Sequence, residues 1–244
     1  MALSLVGGAA AAHAQAPGGV SLDPNNARLG TALVVGLDAP AAPLRVTLPR
    51  GTRFNRRAVA PGTRIGFGRY VMNVQGFLDG GGGTTQLVWS LAATLGRSPG
   101  AVTITGSLLG GDVAAALLQP PLGTTIPAST TTTARFVRSG GRLEFRLAEL
   151  PAQLVPAPPA NATPARLELS LSGSRRVRQN FFHRVKVPTA SGGFRIQRIR
   201  DHRLVSRDML RTPGRCTSSW TYVLRAGSQR STGSIPCLAA LPTA

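Results

Sequence analysis

Thr212-Pro213-Gly214-Arg215-Cys216, then Thr217 to Arg225, Ala226-Gly227-Ser228, and Gln229 to Cys237: this run, entered from Arg211, is the best-specified part of the chain. Trp220, Tyr222 and Leu224 alternate with Thr221, Val223 and Arg225, the period-two pattern of a half-buried strand, and Gly227 supplies the backbone freedom of a tight turn. The run therefore predicts one β-hairpin whose open end is closed by a disulfide between Cys216 and Cys237. Such a unit holds a fold together and performs no chemistry.

The same alternation recurs upstream. Thr31 to Leu37, then Leu44, Val46 and Leu48, Gly68 to Gln75, Thr85 to Leu95 (Leu87, Trp89 and Leu91 on one face) and Ala101 to Ser107 all read as strands. Arg142 to Leu147 and Arg166 to Leu171 are cleaner still. Leu143, Phe145, Leu147 and Leu167, Leu169, Leu171 point inward, and Arg142, Glu144, Arg146, Arg166 and Glu168 point outward, where charges of opposite sign can alternate if the two strands pair. Arg50 to Tyr70 reads as an arginine-rich loop, and Asp79 to Gly83 as a glycine-rich turn. Asp112 to Gln119 is the one helix expected, capped by Asp112 and ended by Pro120-Pro121. Gln119 to Thr133, rich in Pro, Thr and Ser, is expected to be loop or extended edge. The fold class that follows is all-β, a single large β-sandwich (jelly-roll or Ig-like) of about ten to fourteen short antiparallel strands, with two stacked smaller sandwiches as the alternative.

Composition bounds the rest. The 244 residues are 42% hydrophobic, enough for a sizeable core, and 29 Gly with 19 Pro predict many turns. Pro151 to Pro164 holds five prolines and is the one internal boundary, read as a long crossover within one domain. Leu3 to Ala12 is apolar and Ala12-His13-Ala14 fits the signal-peptidase pattern, although the basic stretch that ordinarily precedes such a run is missing. The expected organisation is a signal peptide over 1–14, a flexible leader over 15–28 and the β domain over 29–240. Later apolar runs such as Val113 to Leu118 are far shorter than the ~20 residues of a membrane span. Two cysteines in an exported chain favour a disulfide, worth about 3 kcal/mol on the chain-entropy model.

The net charge is +19, and because Lys186 is the only lysine, 27 of the 28 basic residues are arginine. GC-rich codons produce such a skew, but the placement is uneven: residues 175 to 230 carry 14 Arg and Lys against Asp201 and Asp208. Within that quarter Val177, Phe181, Val185 and Val187 fall on one side of an expected strand, and Arg176, Arg178, Arg184 and Lys186 on the other, with Phe182 among the cations. A charged face of this kind protects a sheet edge from aggregation, or meets a polyanion.

Sites of chemistry are scarce. Gly96-Arg97-Ser98-Pro99-Gly100 spells a nucleophile elbow, yet a strand follows where a helix is needed, and Pro99 lacks the N–H of an oxyanion hole; a hairpin turn is expected. Asp201-His202 are sequence neighbours, which seldom face one another in extended chain. Glu144 and Glu168 are the candidate carboxylate pair, but flanking arginines favour their ionised forms, so surface ion pairing is expected. No cofactor and no metal site is read from the sequence.

Leu44-Arg45-Val46-Thr47-Leu48-Pro49-Arg50-Gly51-Thr52-Arg53-Phe54-Asn55, Pro61-Gly62-Thr63-Arg64-Ile65-Gly66-Phe67-Gly68 and Leu210 to Trp220 through Ile235-Pro236-Cys237 together resemble a family of uncharacterised secreted actinobacterial proteins. Its members carry an LP-x-G-x-x-F-N segment and a C-terminal Cys-Trp…Pro-Cys hairpin. The resemblance implies secretion and no particular activity. In that family the middle segment usually brings cysteines of its own; here Ala60 precedes Pro61, and a second disulfide is not expected.

The functional expectation is an exported, non-catalytic protein of the cell envelope, structural or adhesive. The alternative is a binder of an acidic polymer (nucleic acid, teichoic acid or acidic polysaccharide) through Arg175, Arg176, Arg178, Arg184 and Lys186. A carbohydrate-active enzyme is the second alternative.

Overall fold

Trp220, Tyr222 and Leu224 turn inward and are buried while Thr221 and Arg225 face solvent, so the C-terminal alternation is that of a half-buried strand. Ser219–Ala226 pairs antiparallel with Gln229–Pro236, leaving Gly227 and Ser228 as a two-residue turn with Gly227 at φ 57°. Beyond its open end Cys216 and Cys237 are joined by a disulfide, as the spacing predicts.

The computed structural model describes residues 18–38, 42–75, 83–123, 125–149 and 162–240. In chain order the strands are β1 (Gly19–Asp23), β2 (Ala32–Asp38), β3 (Leu44–Thr47), β4 (Arg53–Phe54), β5 (Arg64–Gln75), β6 (Thr84–Leu95), β7 (Ala101–Leu108), β8 (Ser129–Ser139), β9 (Arg142–Leu147), β10 (Ala162–Leu171), β11 (Ser174–Pro188), β12 (Phe194–Asp208), β13 (Leu210–Arg211), β14 (Ser219–Ala226) and β15 (Gln229–Pro236). One helix, α1 (Gly111–Leu122), lies between β7 and β8.

The fold is all-β. Eleven strands form one antiparallel sheet in the order β1-β2-β10-β5-β6-β7-β8-β9-β3-β14-β15. The sheet curls until its ends meet: the Ala27 N–H donates to the Leu238 carbonyl at 3.0 Å, the Leu238 N–H donates to Asn25 at 3.2 Å, and Asn25 Nδ2 donates to the Pro236 carbonyl at 2.9 Å. Those contacts tie the two ends of the sheet into a sandwich- or barrel-like arrangement, although β1 and β15 are not themselves paired. Inside it Trp89, Tyr70, Phe145, Leu33, Met72 and Ile104 are fully buried, each contributing on the order of 2 kcal/mol by leaving water. Tyr70 and Trp89 pack ring against ring at 5.9 Å, and burial pushes the Tyr70 phenol up to about 12.

The structure corrects several expectations. Residues 19–23 of the expected leader form β1, because Val20 and Leu22 alternate with Gly19, Ser21 and Asp23 and are buried; the fold thus begins before residue 29. The described strands number fifteen, above the expected range. Thr130 to Thr133 belong to β8, a central strand bonded to both β7 and β9, where β-branched threonines fit the pleat and Thr132 is buried. The Arg50 to Tyr70 segment is loop only in part, since Arg53 and Phe54 pair with β13 and β5 starts at Arg64. α1 starts at Gly111 with Asp112 inside its first turn and runs through Pro120-Pro121, whose fixed φ suits a helix even though their hydrogen bonds are lost. The strands β9 and β10 do not pair: β9 sits between β8 and β3, and β10 between β2 and β5. Gly96 to Gly100 is the expected turn between β6 and β7, with Gly96 N–H donating to Ala101 at 2.8 Å and Gly100 at φ 73°. The signal-peptide expectation over 1–14, the turn at Asp79 and most of the Pro151 to Pro164 crossover lie outside the described residues.

Candidate functional site

The feature that departs furthest from a closed sheet is β11 with β12. They form a two-stranded ribbon of their own, registered over fifteen pairs from Ser174↔Asp208 to Pro188↔Phe194. At ~3.4 Å per residue it extends about 50 Å. Sequence builds it in three pieces. The root is anchored where the Ser172 N–H donates to Ile65 at 2.6 Å and the Met209 N–H to Gly173 at 2.7 Å, beside buried Met209 and Leu210. The shaft is rich in β-branched and aromatic residues. At the tip Gly192 takes φ 82°, and Thr189 Oγ1 accepts from the Gly193 N–H at 3.1 Å.

Neither face of this arm is covered. Only Val177, Val185, Val187, Asp201, Val205 and Asp208 are even half-buried; every other side chain from 174 to 188 and 194 to 208 is exposed. The expectation of a strand within the sandwich, shielding its edge, is thereby corrected: alternation showed two unlike faces but not that both meet solvent.

Directly opposed residues share a face. One face therefore carries Arg176, Arg178, Arg184 and Lys186 from β11 and Arg198 and Arg200 from β12, six cations around Phe182. The Arg198 guanidinium lies 4.1 Å from the centre of the Phe182 ring and that of Arg200 5.4 Å, holding both heads in place by cation–π attraction. The only acid on this face is Asp208 at the root, which accepts from Ser206 Oγ at 2.7 Å. Arg175 is not part of the cluster. It stands opposite Arg207 on the second face, with Val177, Phe181, Val185, Val187, Ile199 and Val205. There Arg203 pairs with Asp201 at 3.5 Å and lies 5.6 Å from the Phe181 ring.

Arg198 and Arg200 escaped sequence reasoning because the second strand of the arm did. The signal was present: Gly192-Gly193 separates two runs of alternating residues, which is a hairpin pattern.

The remaining candidates are dispersed. His202 stands on the basic face and Asp201 on the other, with Asp201 Oδ1 accepting from the His202 backbone N–H at 2.7 Å; His183 shares the second face. Glu144 and Glu168 are five strand positions apart and form no carboxylate pair. Glu168 accepts from Arg69 at 2.6 Å and pairs with Arg166 at 2.8 Å, and the Arg69 hydrogen bond holds its carboxyl below the usual range. Glu144 departs from the surface expectation, being buried under Arg146 at 2.6 Å. Among the described residues no group of three or more His, Cys, Asp or Glu could hold a metal ion, and no helix is long and apolar enough to cross a membrane.

Fold and site together define a disulfide-closed all-β protein bearing a long, uncovered basic arm. No protein-family model, curated protein or solved structure matches the chain.

Proposed function

We propose that this is a non-catalytic protein of the cell exterior or envelope that binds an extended polyanion along the basic face of its arm. The observation that carries the reading is that six of the arm's ten cations share the face of Phe182, with two of them on its ring, on a ribbon standing free of the sheet. Fields of like charges on one face add, and a chain of anions laid along them releases its condensed counterions. A flat ribbon with a ring between guanidinium heads suits a flexible anionic polymer better than a small substrate, which needs a concave pocket. The Cys216–Cys237 disulfide fits an oxidising compartment.

The test is an arm-shortened variant in which Arg176 is joined to Ser206 by Asn-Gly, a dipeptide that closes a two-residue hairpin. Wild type should be retained on immobilised duplex DNA and on a sulfated-glycan column, and the shortened protein should elute from both at markedly lower salt. Equal retention of the two proteins would remove the arm from function.

The second face favours a structural or adhesive role as a further reading. An isolated two-stranded ribbon is marginal in water, so covering Val177, Phe181, Val185, Val187, Ile199 and Val205 would steady it. Sedimentation over a wide concentration range tests this: self-association that disappears in Val185→Thr/Ile199→Thr supports it, and a monomer throughout opposes assembly between copies.

A further inference from the structure

A second concentration of arginine lies on the closed sheet, away from the arm, and it is written in the strand register. Arg230 opposes Arg225, Arg225 opposes Arg45, Arg45 opposes Arg146, and Arg146 opposes Arg135. Five adjacent strands, β15, β14, β3, β9 and β8, thus each contribute one arginine to a single file across the sheet. At the ~4.8 Å spacing of neighbouring strands the file is about 19 Å long. Like charges directly opposed across a ladder destabilise it, so such a file is costly unless counter-charge is supplied.

Among the described residues one carboxylate meets this file. Glu144 accepts from Arg146 Nη2 at 2.6 Å and Nε at 2.8 Å, and its nearest approach to Arg45 is 3.9 Å. Among the described residues Arg135, Arg225 and Arg230 are in no ion pair, and all three are exposed. Arg45, Arg135, Arg146 and Arg225 line one open depression of about 680 Å³, beside Leu44, Leu147 and Thr133. Among the described residues no aromatic ring lines it. Stacking platforms are what hold the bases of single-stranded nucleic acid, and this depression offers none. Guanidinium forks in a line match successive tetrahedral oxyanions two bonds at a time.

We propose that this file binds a linear chain of phosphate groups that carries no stacking bases. Glu144 holds the Arg146 head and lies 3.9 Å from that of Arg45, and the other three heads are free to close on the chain. The site is separate from the arm, and either can fail without the other.

The experiment uses the full chain with Arg176, Arg178, Arg184, Lys186, Arg198 and Arg200 replaced by Gln, so that the basic face of the arm does not contribute, and end-labelled long-chain inorganic polyphosphate followed by fluorescence anisotropy. Binding should persist in this background. Adding R135Q, R225Q and R230Q should weaken it by about tenfold or more, since fewer guanidinium groups on the phosphate chain release fewer counterions. Glu144→Gln should act in the opposite direction and tighten binding several-fold. Inorganic orthophosphate at equal total phosphate should compete poorly, and a polyol-phosphate polymer should compete well if the recognised feature is the phosphate chain rather than its anhydride links. Unchanged affinity after the triple substitution overturns the proposal, as does equal competition by orthophosphate, which would mean separate single-anion contacts. Should the triple variant fail to fold, R225Q alone, with a threefold loss expected, decides.

Discussion

Replacing Cys216 and Cys237 by alanine should lower stability without changing the fold. The bond joins residues separated by 21 positions. A loop of that size, left free in the unfolded chain, restores closure entropy worth about 3 kcal/mol at 25 °C. The loss should also have a location. Cys237 donates its N–H to Ser218 at 3.1 Å, and the next residue, Leu238, exchanges hydrogen bonds with Asn25 and Ala27, the contacts through which the two ends of the sheet meet. Releasing the clasp therefore loosens the closure as well as the hairpin. Urea unfolding followed by Trp fluorescence should show a lower midpoint, and hydrogen exchange should show faster exchange at the Ala27, Cys237 and Leu238 amides than at β6 or β7. A midpoint equal to that of the wild type, or protection lost evenly across the sheet, would refute the assignment of the disulfide as the clasp of the closed sheet.

Three more outcomes are expected. The depressed carboxyl of Glu168 contributes stability that is present above the ordinary carboxylate range and lost as pH falls through its lowered folded value; Glu168→Gln should flatten the acid limb of urea midpoint against pH. A methyl group at Gly68 would run into the Glu168 backbone carbonyl of the neighbouring strand, which has no room to yield, so Gly68→Ala should cost about 3 kcal/mol, read from the same unfolding curves. Phe182→Leu should weaken duplex DNA binding by about threefold at constant salt slope, because the Arg198 and Arg200 heads lose their aromatic support while the number of charges is unchanged.

Much of this architecture is legible in the sequence because alternation is local. Leu143, Phe145 and Leu147, or Trp220, Tyr222 and Leu224, declare an inward face with no knowledge of the partner strand. Pairing is not local. Nothing near β10 says that it lies between β2 and β5, and the ion pair of Glu168 with Arg69 follows from that topology, whereas Glu144 pairs with Arg146 two positions along its own strand. The arm shows the limit most plainly. Its alternation sets Arg176, Arg178, Arg184 and Lys186 opposite the valines and Arg175 on the valine side, yet the same pattern describes a strand packed on a core and a ribbon standing free, and only the register places Arg198 and Arg200 beside Phe182. Val20 and Leu22 were readable as strand but are obscured by neighbouring Pro, Gly and Asn, which dominate the composition of that segment.

The central claim, that the basic face of the arm engages a polyanion, is tested most directly by the salt dependence of binding. The observed affinity of the wild type for a random-sequence DNA duplex should fall steeply on a log–log plot against salt, without preference between sequences. Replacing Arg176, Arg178, Arg184 and Lys186 with Gln should reduce that slope by about one unit for each phosphate no longer neutralised, toward a decrease of about four. A slope and affinity identical to those of the wild type would show that these cations meet no polyanion and serve only to keep an exposed ribbon soluble.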